Sequence, residues 1–353
     1  MASCCIAGHQ CCPFVSDSPR WPCYLPPVQR ATHAVIDVGT NSIKLLVGSV
    51  DESGVITPVL EKSRQTRLGQ GFYEHHLLQP EPIAATAETV AKFTALAREH
   101  RAQSIRAIAT SAAREASNQA ELVTAIKQSS GVDLEIISGE QEAEWAYRGV
   151  ITDPQLGRRK LMILDVGGGS TEIIVGERDR HSFSQSFDFG SVRLLELLRP
   201  NDPPTPGDLA NCRAWLRAFL DRHIGAALTG AGCHTAADRL LVGTGGTTTI
   251  LARMERQLTK YDRDKTDGTV LSSAEIHRWM TELWQRSVEQ RRQLPGLPPK
   301  RADIMPFGVA IYEAVMAYFG FGEVYVSTRG LRYGALLSSS GGQNHLAAPR
   351  TRP

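Results

Sequence analysis

Two stretches of the chain share one pattern of apolar and polar positions. In the second, Leu161, Met162, Ile163 and Leu164 form an apolar run and Ile173, Ile174 and Val175 another, with Asp165, three glycines, Ser170, Thr171 and Glu172 between. Short apolar runs that bracket glycine predict two buried strands joined as a β-hairpin, its tip at Gly167, Gly168 and Gly169. Glycine there permits the positive φ of a tight turn, and lacking a Cβ it lets a phosphate approach the backbone N–H groups. Asp165 leaves the first strand at the tip, and Glu172, two residues beyond Ser170, shares that residue's strand face. Two carboxylates beside a glycine cradle suit a divalent cation paired with phosphate. A plain glycine turn with solvated acids fits the same letters.

The earlier stretch removes most of that ambiguity. Ala34–Gly48, AVIDVGTNSIKLLVG, aligns without a gap on Met162–Gly176, MILDVGGGSTEIIVG, so Asp37 falls on Asp165, Gly39 on Gly167 and Ser42 on Ser170. A duplicated hairpin predicts two similar α/β subdomains facing a shared cleft. Each would offer a phosphate-binding tip, with Gly39 and Ser42 in one and Gly167, Gly168, Gly169 and Ser170 in the other. One position changes sign: Lys44 stands where the second copy has Glu172. The second hairpin is therefore the expected metal side, with Asp165 and Glu172 as ligands.

Between and after the hairpins the pattern predicts a strand over 55–65, a helix over 81–100, and a strand over 106–109 running into the small residues Thr110–Ala113 and Arg114. An arginine at a strand end could hold phosphate with its planar fork, or be a surface charge. Asn118 is placed to cap a helix ending near Gly131, and Leu134–Ile137 reads as a strand. Ser138 with Gln141 three residues later has the capping-box pattern, opening a helix whose first turn holds Glu140, Glu142 and Glu144. The helix dipole favours acids there, and it helps keep a first-turn glutamate ionised, as a water-activating base requires. A helix follows through Val192–Leu198, then a proline-rich linker over 200–206 and an amphipathic helix over 208–220. Leu240–Val242 runs into Gly243, Thr244, Gly245, Gly246 and Thr247, a third strand–glycine–helix passage and a further anion site or simple turn; no lysine follows, so it is not a Walker A loop. Arginines and lysines over 253–265 and 286–301 form two basic runs, read as solvated helix faces or a polyanion track. A long apolar helix over 303–319, a strand over 323–327 and a helix over 330–337 complete the body.

Composition narrows the classes. At 353 residues, 42% hydrophobic and 22% charged, the chain has the make-up of a globular protein with room for two domains. No run approaches the roughly 18 apolar residues of a membrane span. A net charge of +2 predicts no general attraction to nucleic acid or membrane. Five of the seven cysteines crowd into the first 30 residues, leaving a body expected to be reduced and cytoplasmic. Residues 1–31, broken by prolines, and the serine- and glycine-rich tail over 339–353 are expected to be disordered extensions.

The motifs DVGTNS, ATSAAR, SGEQEA, DVGGGSTE, FGSVRL, GTGGTTT and VSTRGLRYGAL occur in this order. In that order and context they resemble the exopolyphosphatase and guanosine pentaphosphate phosphohydrolase (Ppx/GppA) phosphatase family, over roughly residues 32–338. The resemblance implies the actin-like ATPase fold, two ribonuclease-H-like subdomains around a central cleft. Subdomain I would comprise 32–142 plus about 329–338, and subdomain II 143–328. It implies Glu142 as the base that activates water, Asp165 and Glu172 as ligands of Mg2+ (or Mn2+ or another divalent cation), and Asn41, Arg114, Gly168, Gly169, Ser170 and the Gly243–Thr247 loop as phosphate ligands. The expected activity is release of terminal orthophosphate from inorganic polyphosphate, and of the 5′-γ-phosphate from guanosine pentaphosphate, by a homodimer. An ATP-dependent kinase or ATPase of the same fold, and a silent polyphosphate or alarmone binder, are the competing expectations. Gln141 stands where the family often has a second acid, and nothing after Leu337 could supply the HD-type domain of its long members.

Overall fold

The computed structural model describes residues 31–231 and 238–339; the expected extensions at either end and the cysteines near the start lie outside them. The first half opens with the hairpin β1 (Thr32–Val38) and β2 (Ser42–Val50), on which β3 (Ile56–Gln65) adds antiparallel. After α1 (Pro80–Glu99), β4 (Ala102–Ala109) pairs parallel with β1, and after α2 (Ser111–Glu115) and α3 (Gln119–Ser130), β5 (Leu134–Ile136) pairs parallel with β4. The sheet order is β3-β2-β1-β4-β5. Then come α4 (Gly139–Val150), the second hairpin β6 (Lys160–Val166) and β7 (Thr171–Glu177), and the antiparallel β8 (Arg180–Phe187). Helices α5 (Ser191–Leu198), α6 (Pro206–Phe219), a π-helical segment over Leu220–Gly225 and α7 (Ala226–Gly230) precede β9 (Leu240–Thr244), which pairs parallel with β6. The rest is α8 (Gly245–Glu255), α9 (Arg263–Thr266), β10 (Val270–Ser272), α10 (Ser273–Trp284), α11 (Val288–Arg291), a 3₁₀ turn at Pro299–Arg301, α12 (Met305–Phe319), β11 (Glu323–Val326) and α13 (Leu331–Ser339).

The second sheet runs β10-β11-β9-β6-β7-β8. Without β10 it repeats the first sheet strand for strand, an antiparallel meander continued by two parallel strands. The duplicated α/β architecture expected from the hairpin repeat is therefore present throughout both halves. Ile36, Ile43, Leu45, Leu164, Ile173 and Ile174 are completely buried. Each such aliphatic side chain contributes about 1.5–3 kcal/mol, which anchors the strands while their tips carry polar groups.

Helix α4 joins the halves, and the expected border between residues 142 and 143 falls inside it. Its residues Ala143, Ala146, Tyr147 and Val150 pack on Leu161, Ile163 and Ile174 of the second sheet. Trp145 instead packs with Val35, Leu46 and Ile108 of the first sheet and with Leu331 and Leu336 of α13. Contact between α4 and α13 is so close that a Cβ on Gly149 would lie 2.0 Å from the Gly330 carbonyl, and one on Gly334 would lie 2.0 Å from that of Trp145.

Several local expectations change. Thr110–Arg114 is not an open strand end, because α2 winds it into a single helical turn. Asn118 does not cap α3; its side-chain oxygen accepts from the Leu78 amide at 2.9 Å and its side-chain nitrogen donates to the Leu78 carbonyl at 3.0 Å. Ser138 does cap α4, accepting from the Gln141 amide at 3.1 Å. Strand β8 and helix α10 were not expected. Among the described residues no helix is long and apolar enough to cross a membrane.

Candidate active site

The two hairpin tips close in the same way: the Gly39 amide donates to the Ser42 carbonyl at 3.1 Å, and the Gly167 amide to that of Ser170 at 3.0 Å. These two N–H groups thus belong to the turns and shape the tips. The next three residues behave differently. Carbonyls of Gly167 and Gly168 accept from the amides of Ser191 and Val192 at 3.1 and 2.8 Å, and Arg193 Nε donates to the Gly169 carbonyl at 2.8 Å. Across a trans peptide the following N–H points opposite to the carbonyl, so the amides of Gly168, Gly169 and Ser170 are turned away from α5. These three residues line the cavity between the halves, and among the described residues their amides have no protein partner. Successive N–H groups aimed into a concavity form an anion-binding nest. The glycines also admit the first half: a Cβ on Gly169 would lie 2.2 Å from Tyr73 Oη and 2.3 Å from Ser111 Oγ.

Five acids, Asp37, Glu61, Glu142, Asp165 and Glu172, line the cavity. Asp37 and Lys44 are directly opposed across β1–β2, as Asp165 and Glu172 are across β6–β7. Lys44 Nζ lies 4.0 Å from Asp37 Oδ2. Glu172 Oε1 accepts from Ser170 Oγ at 2.8 Å and from Ser186 Oγ at 2.7 Å. Burial, and then the neighbouring Asp165, push the Glu172 carboxyl up to about 7 against those hydrogen bonds and Arg114. Glu142 is held well above the usual carboxylate range, chiefly by burial and then by Glu172; Arg114, whose Nη1 lies 3.0 Å from Glu142 Oε2, opposes the rise. Burial raises Asp37 and Asp165 as well, with Lys44 opposing in both cases.

The donor set fits a hard divalent cation. Asp165 is half-buried and accepts no hydrogen bond among the described residues, and its cross-strand partner Glu172 leaves one carboxylate oxygen free of protein donors. No group of three or more His, Cys, Asp or Glu side chains of metal-binding geometry occurs among the described residues. A cation on this pair would complete its shell with water and phosphate oxygens, as Mg2+ commonly does.

Beside Asp165, at the end of the neighbouring strand β9, lies the glycine loop that opens α8. Thr244, Gly245 and Gly246 line the cavity, and Gly245 takes φ +84°, where a Cβ would lie 2.2 Å from Asp165 Oδ1. Gly243 and Thr247, expected as phosphate ligands, sit behind the wall. A Cβ on Gly243 would meet Thr248 Cγ2 at 2.3 Å, and Thr247 Oγ1 donates to the Val166 carbonyl at 3.3 Å. Arg114 is likewise behind Glu142, where it also donates to the Ile137 carbonyl at 3.0 Å. The other expected residues, Gly39, Asn41, Ser42, Glu142, Asp165, Gly167, Gly168, Gly169, Ser170, Glu172, Gly245 and Gly246, line one cavity of about 660 Å³.

Arg301 was not singled out from the sequence beyond its place in a basic run. Its Nη2 donates to Ser42 Oγ at 2.7 Å, and Asn41, with its amide oxygen turned towards the guanidinium, accepts at 3.1 and 3.2 Å. Burial lowers its pKa to about 10, so the charge persists at neutral pH. The neighbouring backbone is pinned to β3 and the loop after it: Gln65 Nε2 and Arg67 Nη2 donate to the Lys300 carbonyl at 2.7 and 2.9 Å, and Arg67 pairs with Asp303 at 2.7 Å. Lys62, Arg253, Lys300 and Arg332 also line the cavity. The basic runs thus do not wholly face solvent; part of them forms the far wall of this site.

The sequence pattern of the Ppx/GppA phosphatase family matches residues 46–342. Exopolyphosphatase 2 of Mycobacterium tuberculosis is 32% identical over 320 residues, covering 87% of this chain and 98% of that protein. A guanosine-5′-triphosphate,3′-diphosphate pyrophosphatase of Vibrio cholerae is 27% identical over 308 residues, 87% of this chain and 59% of its own length. Among solved structures, an exopolyphosphatase from Cytophaga hutchinsonii superposes with a TM-score of 0.79 at 26% identity, covering 88% of this chain and 98% of that one. The Aquifex aeolicus Ppx/GppA family member gives 0.73 at 29%, covering 90% and 99%. With its duplicated actin-like α/β fold and a family match spanning most of its length, this chain belongs to the Ppx/GppA phosphatase family.

Proposed function

We propose that the protein is a divalent-cation-dependent phosphohydrolase that removes terminal orthophosphate from inorganic polyphosphate, with guanosine pentaphosphate as a further substrate. The observation that carries this reading is the placement of Glu142 in one cavity with the free amides of Gly168, Gly169 and Ser170 and the Asp165–Glu172 pair. The basic far wall supports an extended polyanion, since cations there can follow successive phosphates. The names of the Mycobacterium and Vibrio relatives point to the same two substrates.

In this mechanism the amides of Gly168, Gly169 and Ser170 hold the terminal phosphoryl group, and Arg301 takes a phosphate further along. Phosphoryl transfer asks a protein mainly for positioning and charge neutralisation, which these groups provide. Glu142 accepts the proton of the attacking water. Arg114 orients that carboxylate and favours its ionised form, while burial raises its affinity for a proton above that of a free carboxylate, which makes it a stronger base. Asp165 and Glu172 would hold Mg2+ or Mn2+, which supplies charge neutralisation at the phosphate oxygens. A cytoplasmic location suits both substrates.

The test is orthophosphate release from polyphosphate and from guanosine pentaphosphate, side by side, with Mg2+ and with Mn2+. Release that needs a cation and proceeds without a nucleotide acceptor supports the reading. ADP formation from ATP as the main activity would replace it with a kinase or ATPase.

A further inference from the structure

Backbone amides of α5 fix the carbonyls of Gly167 and Gly168, but the Gly169 carbonyl is fixed by a side chain, Arg193 Nε at 2.8 Å, and among the described residues it has no other donor. Across the trans peptide this one contact sets the direction of the Ser170 amide, the third donor of the nest. The guanidinium is itself held from the first half of the chain. Its Nη2 donates to Glu115 Oε1 at 2.6 Å and to Oε2 at 2.8 Å, and its Cζ stands 4.3 Å from the centre of the Tyr73 ring; Asp188 Oδ1 lies further off, at 3.8 Å. Glu115 in turn accepts at 2.8 Å from the hydroxyl of Ser111, which lines the cavity on the first half's side. One turn along α5, Glu196 accepts from the amides of Gly71 and Tyr73 at 2.6 and 3.1 Å, which fixes the backbone that carries the ring. Arg193 is only 15% exposed and stands behind the cavity wall rather than in it. A planar guanidinium presents its donors in fixed directions, so the Glu115 carboxylate and the Tyr73 ring together aim Nε at the Gly169 carbonyl.

We infer that Arg193 is a positioning residue that makes the phosphate nest of the second hairpin a joint product of both halves. Glu115 and Tyr73 of the first half hold the guanidinium, and the guanidinium turns the Ser170 amide towards the phosphate. The inference rests on the reading of Gly168, Gly169 and Ser170 as the seat of the terminal phosphoryl group. Because Arg193 reaches both halves at once, the third donor is aimed only while the halves are joined.

The experiment measures orthophosphate affinity by titration calorimetry in Mg2+, which needs no turnover, alongside melting temperature and kcat and KM for inorganic polyphosphate. Arg193→Met should bind orthophosphate about tenfold more weakly, the share of one well-aimed hydrogen bond to a charged group. It should lose about 100-fold in kcat with a smaller change in KM, because the far wall still holds the rest of the polyanion. Arg193→Lys should keep the melting temperature through its charge opposite Glu115, yet recover only part of the affinity and rate, since an ammonium lacks the fork. Glu115→Gln should lose less than Arg193→Met, and adding it to Arg193→Met should cost no further rate, because the two act through one contact. A folded Arg193→Met or Arg193→Lys with the orthophosphate affinity and kcat of wild type, whatever its melting temperature, or additive losses in the double variant, would overturn the inference. Should Arg193→Met fail to fold, Arg193→Lys and Glu115→Gln decide. Wild type that binds orthophosphate but releases none from polyphosphate would remove the phosphohydrolase reading and leave the affinities to decide this one. No orthophosphate binding by wild type would remove the reading of the nest, and this inference with it.

Discussion

One nitrogen of Arg114, Nη1, donates both to Glu142 Oε2 and to the Ile137 carbonyl, each at 3.0 Å. It thereby ties the residue before the α4 cap to a carboxylate one turn inside the helix. Glu142 is only 8% exposed, and among the described residues Arg114 is the one hydrogen-bond partner of its carboxylate, so its orientation depends on that contact. Glu142→Gln keeps the shape and an acceptor for Arg114 but cannot take a proton. Turnover should fall by roughly two to four orders of magnitude with substrate binding retained. Comparing single-turnover rates with substrate affinity checks this, and near-normal turnover by a folded variant removes Glu142 from the mechanism.

The pH dependence follows from the same pair. Glu142 must be ionised to act, and burial with Glu172 raises its pKa above the ordinary range, so the acid limb of the rate profile should lie above that of a free carboxylate. Arg114 lowers the value, so Arg114→Met should shift the limb to higher pH. The stability effect has a definite sign as well. A carboxyl that keeps its proton longer in the fold than in the unfolded chain favours the fold below the ordinary carboxylate range. That share is lost as pH rises through the folded value. Metal-free protein should accordingly melt lower at pH 8 than at pH 5.5 by this contribution, and Glu142→Gln should flatten the difference. A slope unchanged in the variant counts against a raised Glu142.

The hairpins were legible in the sequence because their information is local: strand, acid, glycine and strand all lie within fifteen residues, and duplication doubled the signal. Gly243 and Thr247 share the glycine-rich letters of their neighbours, and nothing local says that Gly243 faces Tyr312 and Thr248 while Gly245 faces Asp165. Arg301 is harder still. Its significance comes from Ser42 at the far end of the sequence, and a lone arginine in a basic run carries no mark of that contact. Helix α10 did carry a usable signal, the Ser272–Glu275 capping box ahead of Ile276, Trp279, Met280 and Leu283 at helical spacing. Strand β8 carried little, since its RHSFSQSF sequence is half-exposed and polar.

Arg301 provides a test of the far wall. Arg301→Met removes the fork that Ser42 and Asn41 present to the cavity while leaving Glu142 and the Asp165–Glu172 pair intact. Weakened ground-state binding should raise KM for polyphosphate by roughly ten- to a hundredfold with a smaller change in kcat. An unchanged KM would show that the substrate does not reach this guanidinium.

Gly149 and Gly334 test the joint between the halves. Each permits α4 and α13 to approach within a distance that any Cβ would violate, and the obstructing atoms are backbone carbonyls that cannot rotate aside. Gly149→Ala and Gly334→Ala should each destabilise the protein by about 1–3 kcal/mol or more through overpacking, despite alanine's better helix propensity. Chemical denaturation measures it, and a stabilised variant of either would mean that the helices sit further apart than described.

The cation site is decided by titration. Asp165 and Glu172 face one another across the β6–β7 ladder, and in both burial outweighs the groups that favour ionisation, so the metal-free pair is a net cost to the fold. If the two acids merely formed a turn, Asp165→Asn and Glu172→Gln would stabilise the protein and leave the rate's dependence on Mg2+ unchanged, and chelators would not affect wild type. A ligand pair behaves differently. Removing one carboxylate from a hard oxygen site should raise the cation concentration for half-maximal rate, with partial rescue at high Mg2+ or Mn2+, while still relieving the charge cost in chelator. The two effects then part company: a higher melting temperature without metal, and a weaker demand met only at higher metal. Rate against cation concentration for wild type and both variants separates the cases. Coincident half-maximal concentrations in all three would leave the hairpin as a phosphate cradle and place the metal, if the rate needs one, elsewhere in the cleft.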